Sequence, residues 1–415
     1  VRIALVDTTP RARYYPVGLL RLGAWRRAEG DECTLYLDGL PPAGEPFDEI
    51  WLSTVFTFDM PRALGMVRAA RDRGAVARVG GIAASLFPDE FRRQGAEVHV
   101  GLHPEAERFP PDYSLLPVRP SYSIVMTQRG CVRKCAFCMV PKLEPEFRPR
   151  AWTDDLCPGA SDLVFYDNNW FGTGIEKIRR DISEMRKLKE ARLVKSIDFN
   201  QGLDCRLLTD EIADLMVGLP FTPIRFAFDG MQEDGHYQRA VESLASRGFK
   251  EFVTYVLYNF RDSPADFYYR IRESSRLSEK LGVGVKSFPM RFQPILEPNT
   301  ARDYVGPKWT LKQRNGVHAV VGAHSAGRAI VSCVGRHHPP MTAVEEFEFW
   351  FGRSSDEFAR MLAYPKLGKL LASKKGHLRL VTAQSEASRG QRSTGRGRRK
   401  TRYASWREKA ECLPT

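Results

Sequence analysis

Gly130-Cys131-Val132-Arg133-Lys134-Cys135-Ala136-Phe137-Cys138 carries three of the chain's eight cysteines within eight residues. A strand-like run at 123–126 leads into it, which predicts a loop at the C-terminal end of a strand. Soft thiolates at such short spacing select zinc or an iron–sulfur cluster. Three ligands are one too few for a closed structural site, which takes four. No nearby histidine or fourth cysteine completes the set. A [4Fe–4S] cube held by three cysteines leaves one iron for an exogenous ligand. Two plainer readings stand beside it: a zinc knuckle with a distant fourth ligand, and reduced cysteines without metal.

Outward from this loop, residues 118–300 read as repeating strand–helix units. Strands are expected at 123–126, 162–166, 195–200, 224–228, 252–257 and 283–288. Helices are expected at 175–189, 209–216, 236–246 and 264–281. Six such repeats predict an α/β core, a partial (β/α)6 barrel, with its working face at the strands' C-terminal ends. Asp167, Asn168, Asn169, Gln201, Asp204, Arg206, Asp229, Asn259 and Arg291 all fall at such ends. A single polar residue there is usually a cap or turn residue. Its recurrence on successive strands points to a shared site.

Residues 1–112 alternate in the same way. Strands are expected at 2–7, 33–37, 49–56, 76–79 and 97–100, and helices at 19–29, 61–73 and 88–94. This predicts a Rossmann-like parallel sheet covered on both faces. Gly80-Gly81 lies at a strand end, where ligands of such sheets sit. After residue 300 the pattern weakens. Tyr304-Val305-Gly306-Pro307-Lys308-Trp309-Thr310 reads as a turn-rich aromatic junction. A partly helical stretch at 311–326 and short helices at 343–351 and 355–362 complete a capping region, 301–372. From 373 to 415 the chain is basic and of low complexity, including Gly395-Arg396-Gly397-Arg398-Arg399-Lys400. Such a tail cannot bury enough apolar surface to fold alone. It would meet nucleic acid through phosphates, or remain a solvated basic end.

The whole chain has 415 residues, a formal net charge of +13 and 43% hydrophobic residues, with a mean hydropathy of −0.36. That suffices for a large core in two or three domains. No run of 18 apolar residues predicts a membrane span. The chain opens directly on a strand-like run, so no signal peptide is expected. Cysteines without framework spacing predict a reducing, cytoplasmic setting. Cys33, Cys157, Cys205, Cys333 and Cys412 form no close ligand set. Cys205, near the working face, is expected as a buried small hydrophobe, and Cys333 with His337 and His338 has loosely metal-like spacing.

The C-x3-C-x2-C spacing, with an aromatic just before the last cysteine, resembles the radical S-adenosylmethionine (radical SAM) superfamily. The resemblance implies a [4Fe–4S] cluster on Cys131, Cys135 and Cys138. Its open iron would chelate the amino and carboxylate groups of S-adenosylmethionine. An electron from a donor such as flavodoxin or ferredoxin would then yield methionine and a 5′-deoxyadenosyl radical. Phe137 takes the position near the adenine. Asp167, Asn168 and Asn169 match, in position though without its glycines, the Gly-Gly-Glu-like segment that contacts the methionine amino group. Arg206 is the candidate for the methionine carboxylate or a substrate anion, and Gln201 and Asp204 are those for the ribose. Asn259 and Arg291 are candidates for S-adenosylmethionine or substrate.

The first domain looks like the cobalamin-binding domain that precedes many radical SAM barrels, with 48–53 and 76–79 as central strands. It departs from that family's Asp-x-His-x-x-Gly loop. Neither Asp7-Thr8-Thr9-Pro10-Arg11-Ala12-Arg13 nor Thr57-Phe58-Asp59-Met60 contains histidine. The departure argues against histidine-held cobalamin, and for a domain used in packing or substrate recognition. Some relatives bind cobalamin without that histidine. The expected activity is a radical SAM enzyme with an unnamed substrate. Its rivals are a methyl or methylthio transferase on RNA, peptide or natural product, and a nucleic-acid-binding protein with a structural metal.

Overall fold

Strand β1 (Arg2–Asp7) is buried on both faces: Ile3, Ala4, Leu5 and Val6 are all fully inaccessible. It therefore lies inside a sheet, not at its edge. In the computed structural model, which describes residues 1–10, 14–294 and 302–323, it is joined by β2 (Glu32–Tyr36), β3 (Glu49–Ser53), β4 (Val76–Gly80) and β5 (Glu97–Val98). All pairs are parallel, in the order β2-β1-β3-β4-β5. Ala4 and Val6 face a core with α2 (Met60–Asp72), α3 (Ile82–Leu86) and α4 (Pro88–Arg92). Ile3 and Leu5 face a second core with α1 (Val17–Ala28). Gly81 has φ +96°, and a Cβ there would meet the Thr54 carbonyl oxygen at 2.5 Å. Its freedom therefore serves close packing of the β4–α3 turn.

Six further strands run parallel: β6 (Tyr122–Val125), β9 (Asp162–Phe165), β10 (Ser196–Phe199), β11 (Ile224–Ala227), β12 (Glu251–Tyr258) and β13 (Gly284–Arg291). They form two three-stranded sheets, β10-β9-β6 and β11-β12-β13. Parallel bridges Ile197–Phe221 and Leu203–Phe226 close the seam between them. Helices α6 (Ile175–Glu190), α7 (Asp210–Met216), α8 (His236–Ser246) and α9 (Pro264–Leu281) cover the outer face. Two very short strands, β7 (Gln128–Arg129) and β8 (Arg148–Pro149), and a helical turn α5 (Val140–Leu143) flank the cysteine loop. Helix α10 (Leu311–Ala323) ends the described part. The architecture is α/β with parallel sheets, consistent with a Rossmann-like sheet followed by an open barrel.

Local sequence explains the helix ends. Ser263 caps α9 through a reciprocal box: its Oγ accepts from Asp266 N at 3.2 Å, and Asp266 Oδ2 accepts from Ser263 N at 2.9 Å. Pro264 opens the helix and left-handed Gly282 closes it. Thr209 caps α7 through its Oγ1 alone, which accepts from Ile212 N at 3.2 Å.

Strand β13 continues three residues beyond its expected end, through Pro289. Gly284 and Phe292 donate their N–H groups to Lys250 and Tyr258, so even-numbered residues face β12. Pro289, lacking an N–H, falls on the outward-facing phase, where proline costs no ladder bond. The expected strand at 49–56 ends at Ser53, because Thr57–Asp59 tightens into a 3-10 turn. The Cys333–His337–His338 grouping, the capping region past 323 and the basic tail lie outside the described residues. Among the described residues no helix is long and apolar enough to cross a membrane.

Candidate functional site

Gly130 starts the cysteine loop at φ +71°, where a Cβ would sit 2.3 Å from the Glu146 carbonyl oxygen. Only glycine fits there. Antiparallel pairing of β7 with β8 ties the loop's base. Glu144 completes the tie. Its Oε2 accepts from Gly130 N at 2.7 Å and from Asn168 Nδ2 at 2.9 Å. Its Oε1 accepts from Arg129 Nη1 at 3.3 Å, and Arg129 also forks onto Glu107 at 2.9 and 2.7 Å. Asn168 Nδ2 further donates to the Gly130 carbonyl at 3.1 Å.

Within the loop Cys131, Cys135 and Cys138 are free and half-buried. Cys131 Sγ accepts from Arg133 N at 3.3 Å, and Cys138 N donates to the Cys135 carbonyl at 3.0 Å. Burial, then the nearness of the other thiols, pushes the Cys135 and Cys138 thiols up. That is the cost a bound cation would relieve. Among the described residues no three or more His, Cys, Asp or Glu side chains are gathered as a ready metal ligand set. The donor chemistry, three soft thiols on one short loop, still fits an iron–sulfur cluster.

The far side of the loop is held through Arg133, whose Nε donates to Asp204 Oδ2 at 2.9 Å. Arg206 forks onto the same carboxylate at 2.7 and 3.1 Å and reaches Glu233 at 2.9 Å. Asn169 Nδ2 adds a contact to Asp204 at 3.3 Å. Burial opposes the charge on Asp204, but hydrogen bonds and the charges of Arg206 and Arg133 prevail and hold it below the usual carboxylate range. Arg206 is thus matched by two carboxylates and not poised for a third anion. Asp229, at the end of β11, is pushed up to about 7 by burial and then by Glu233.

Two candidates point elsewhere. Asp167, 2% exposed, accepts from Thr127 N at 2.6 Å and from Thr127 Oγ1 at 2.8 Å. Its carboxylate thereby serves the strand leading into the loop, instead of an incoming ammonium. Asn259 is fully buried in the left-handed region at φ +67°. Its Nδ2 donates to the Phe292 and Tyr304 carbonyls at 3.3 and 3.2 Å, and its Oδ1 accepts from Gly306 N at 2.8 Å. Its amide staples the 304–306 segment to the strand ends and is spent there. Phe137 packs edge-on against Phe260 at 5.8 Å, and Phe260 against Phe292 at 4.5 Å. Arg291 lies at the end of β13, electrostatically coupled to Tyr258, Arg302 and Arg314.

Gln201 is exposed after β10 and lines a cavity of about 1270 Å³ between the two sheets, as does Asn168. One wall is the C-terminal edge of the first sheet, including Asp7, Ser53, Gly80 and Gly81; the other is the back of the cysteine loop, including Met139 and Leu143. His99 and His103, which no loop motif flagged, also line it, their rings stacked at 4.5 Å. Cys33, Cys157 and Cys205 are buried. Burial pushes the Cys205 thiol up to about 12. Sequence reasoning missed Arg133 and Glu144. Arg133 stood in plain view between the first two cysteines, whereas Glu144 carried no signal.

No family model matches the chain, and no curated protein matches it. Among solved structures it resembles the radical S-adenosylmethionine methyltransferase TsrM from Kitasatospora setae, determined with cobalamin and a [4Fe-4S] cluster bound. The match has a TM-score of 0.53 at 13% identity and covers 69% of this chain and 74% of that one. At that identity what the two share is the fold.

Proposed function

We propose that the chain is a radical SAM enzyme in which Cys131, Cys135 and Cys138 hold a [4Fe-4S] cluster. One observation carries this reading: three free, half-buried thiols sit on one loop, tied at its base, at the C-terminal end of the first strand of a six-strand parallel wall. When bound, the cluster and S-adenosylmethionine supply a 5′-deoxyadenosyl radical for hydrogen abstraction. The chain's residues position and shield that chemistry. Glu144 and Asn168 fix Gly130, and Arg133 with Asp204 fixes the loop's other flank. Asn168, Asn169 and Gln201 are the uncharged candidates for the methionine and ribose ends. Phe137, lodged against Phe260, is the wall for the adenine.

The test is anaerobic reconstitution with iron and sulfide, reduction, and assay for 5′-deoxyadenosine. About four irons per chain and 5′-deoxyadenosine formation are expected, both lost when the three cysteines become alanine. Tetrahedral zinc in anaerobically prepared protein would overturn the reading.

A second reading adds cobalamin in the interdomain cavity and makes the enzyme a methyltransferase. The cavity, about 1270 Å³, exceeds the roughly 300–1,000 Å³ typical of small-ligand pockets. It lies along the strand ends where parallel sheets take ligands, and TsrM carries both groups. Cobalamin would be held there without a histidine from the loops after β1 and β3. Gel filtration after incubation with hydroxocobalamin decides it: co-elution with a corrinoid absorption spectrum supports this reading, and free passage of the corrinoid removes it.

A further inference from the structure

The inner face of the six-strand wall carries an aromatic layer that the cluster does not use. Phe252 lies in the core against the helices, and Thr254 meets Tyr237 of α8. Strand alternation therefore turns Tyr255 to the inner face. Tyr255 pairs in register with Phe288, their rings edge-to-face at 5.9 Å. Tyr166, one residue past β9, continues the layer, and Tyr14 of the first domain reaches into it. Tyr14 packs edge-to-face on Tyr166 at 5.6 Å and on Tyr122 at 5.7 Å.

Tyr166 lies two residues before Asn168, the residue that touches Gly130, which is about 7 Å of extended chain. Tyr14 and Tyr166 line the interdomain cavity. Phe288, on the edge strand, is 51% exposed, and Met290 beside it is 44% exposed. Large apolar groups left open side by side mark a binding surface. Beneath the layer the guanidinium of Arg225 is consumed by a fork onto Asp198 at 2.6 and 2.7 Å.

We propose that this layer is the substrate platform of the site and that the substrate is a small planar aromatic compound. The proposal rests on the radical SAM reading for the chemistry but not for the binding. Rings offered edge-on and face-on complement the quadrupole of another ring, which a saturated ring lacks. A nucleic-acid strand needs unpaired cations along its phosphates, and Arg225 is already paired.

The experiment titrates 4-methylphenol and its saturated counterpart 4-methylcyclohexanol into the full chain by calorimetry, with and without the reconstituted cluster. The phenol should bind at least tenfold more tightly in both states. Tyr14→Ala and Phe288→Ala should each weaken it three- to tenfold with the circular dichroism spectrum unchanged. Phe288→Leu, which keeps bulk without the ring, should lose as much as Phe288→Ala. Equal affinity for the two probes, an undiminished preference in the Tyr14→Ala/Phe288→Ala double variant, or displacement of the phenol by a single-stranded RNA oligonucleotide would overturn the proposal. Formation of 5′-deoxyadenosine with no aromatic preference would overturn this inference alone. An aromatic preference with no 5′-deoxyadenosine would overturn the radical reading alone.

Discussion

Gly130 shows how much one residue can decide. It combines a left-handed φ with backbone contact to Glu146, so Gly130→Ala suffers both a conformational cost of about 1–2 kcal/mol and a steric one. The variant should lose iron on reconstitution more readily than wild type, read as iron per chain after gel filtration, and melt several degrees lower. Asp167 makes a pH prediction. Its pKa is raised from 3.8 to about 7, chiefly by burial. Between those values the unfolded chain has released a proton that the folded chain still holds. Stability therefore falls as pH rises from about 4 to 7, by at most on the order of 4 kcal/mol from this group. In urea titrations across that range the stability of wild type minus that of Asp167→Asn should fall steadily toward pH 7, because the variant has no proton to release. A wild-type stability that rises through this window relative to Asp167→Asn would contradict the assignment. Neither role was legible beforehand: Asp167 looks like a ligand in sequence because its partner, Thr127, is 40 residues away.

At the scale of elements, the strand–helix alternation read from periodicity matches the order observed, and the capped helices match most closely. Helices 236–246 and 264–281 are found as expected because their ends are written locally. Removing the Ser263 cap by Ser263→Ala should cost about 1 kcal/mol in chemical denaturation. The short β7–β8 pair was not legible, since two-residue strands carry no periodicity. Its consequence is large, because it and Glu144 hold the cysteine loop shut. Glu144→Ala strands the Gly130 N–H and leaves Arg129 with Glu107 alone. It should destabilise the chain by roughly 1–3 kcal/mol and broaden the spectroscopic signature of any reconstituted cluster. A variant with wild-type melting and an unchanged spectrum would show that the tie is dispensable.

The two domains are joined by buried charge as well as by apolar packing. Arg21 of α1 donates to the Phe109 carbonyl at 2.6 Å and to Asp155 at 2.5 Å. Asp155 also pairs with Arg150 at 3.2 Å, and Arg150 approaches Glu107 at 3.5 Å. Through Glu107 the chain of contacts reaches Arg129 and the cysteine loop. Breaking one member of a buried pair typically costs about 3–5 kcal/mol. Arg21→Met should therefore lower stability by that order and raise hydrogen exchange in both the first domain and the loop. Exchange confined to the first domain would show that the network does not join them.

By itself the sequence determined the alternation of strands and helices, the parallel sheets of both domains and the loop on which three thiols fall together. Those are local properties, set by hydrophobic period, caps and short spacing. Tertiary structure alone decided which strand-end polar groups face the loop and which are spent inside, as Asn259 and Asp167 are. It also decided that Arg133 pairs with Asp204, 71 residues away, and that a cavity and an aromatic layer form where two domains meet. The physical reason is that a polar side chain's role is set by whichever partner reaches it first in space. Spacing along the chain does not encode that distance.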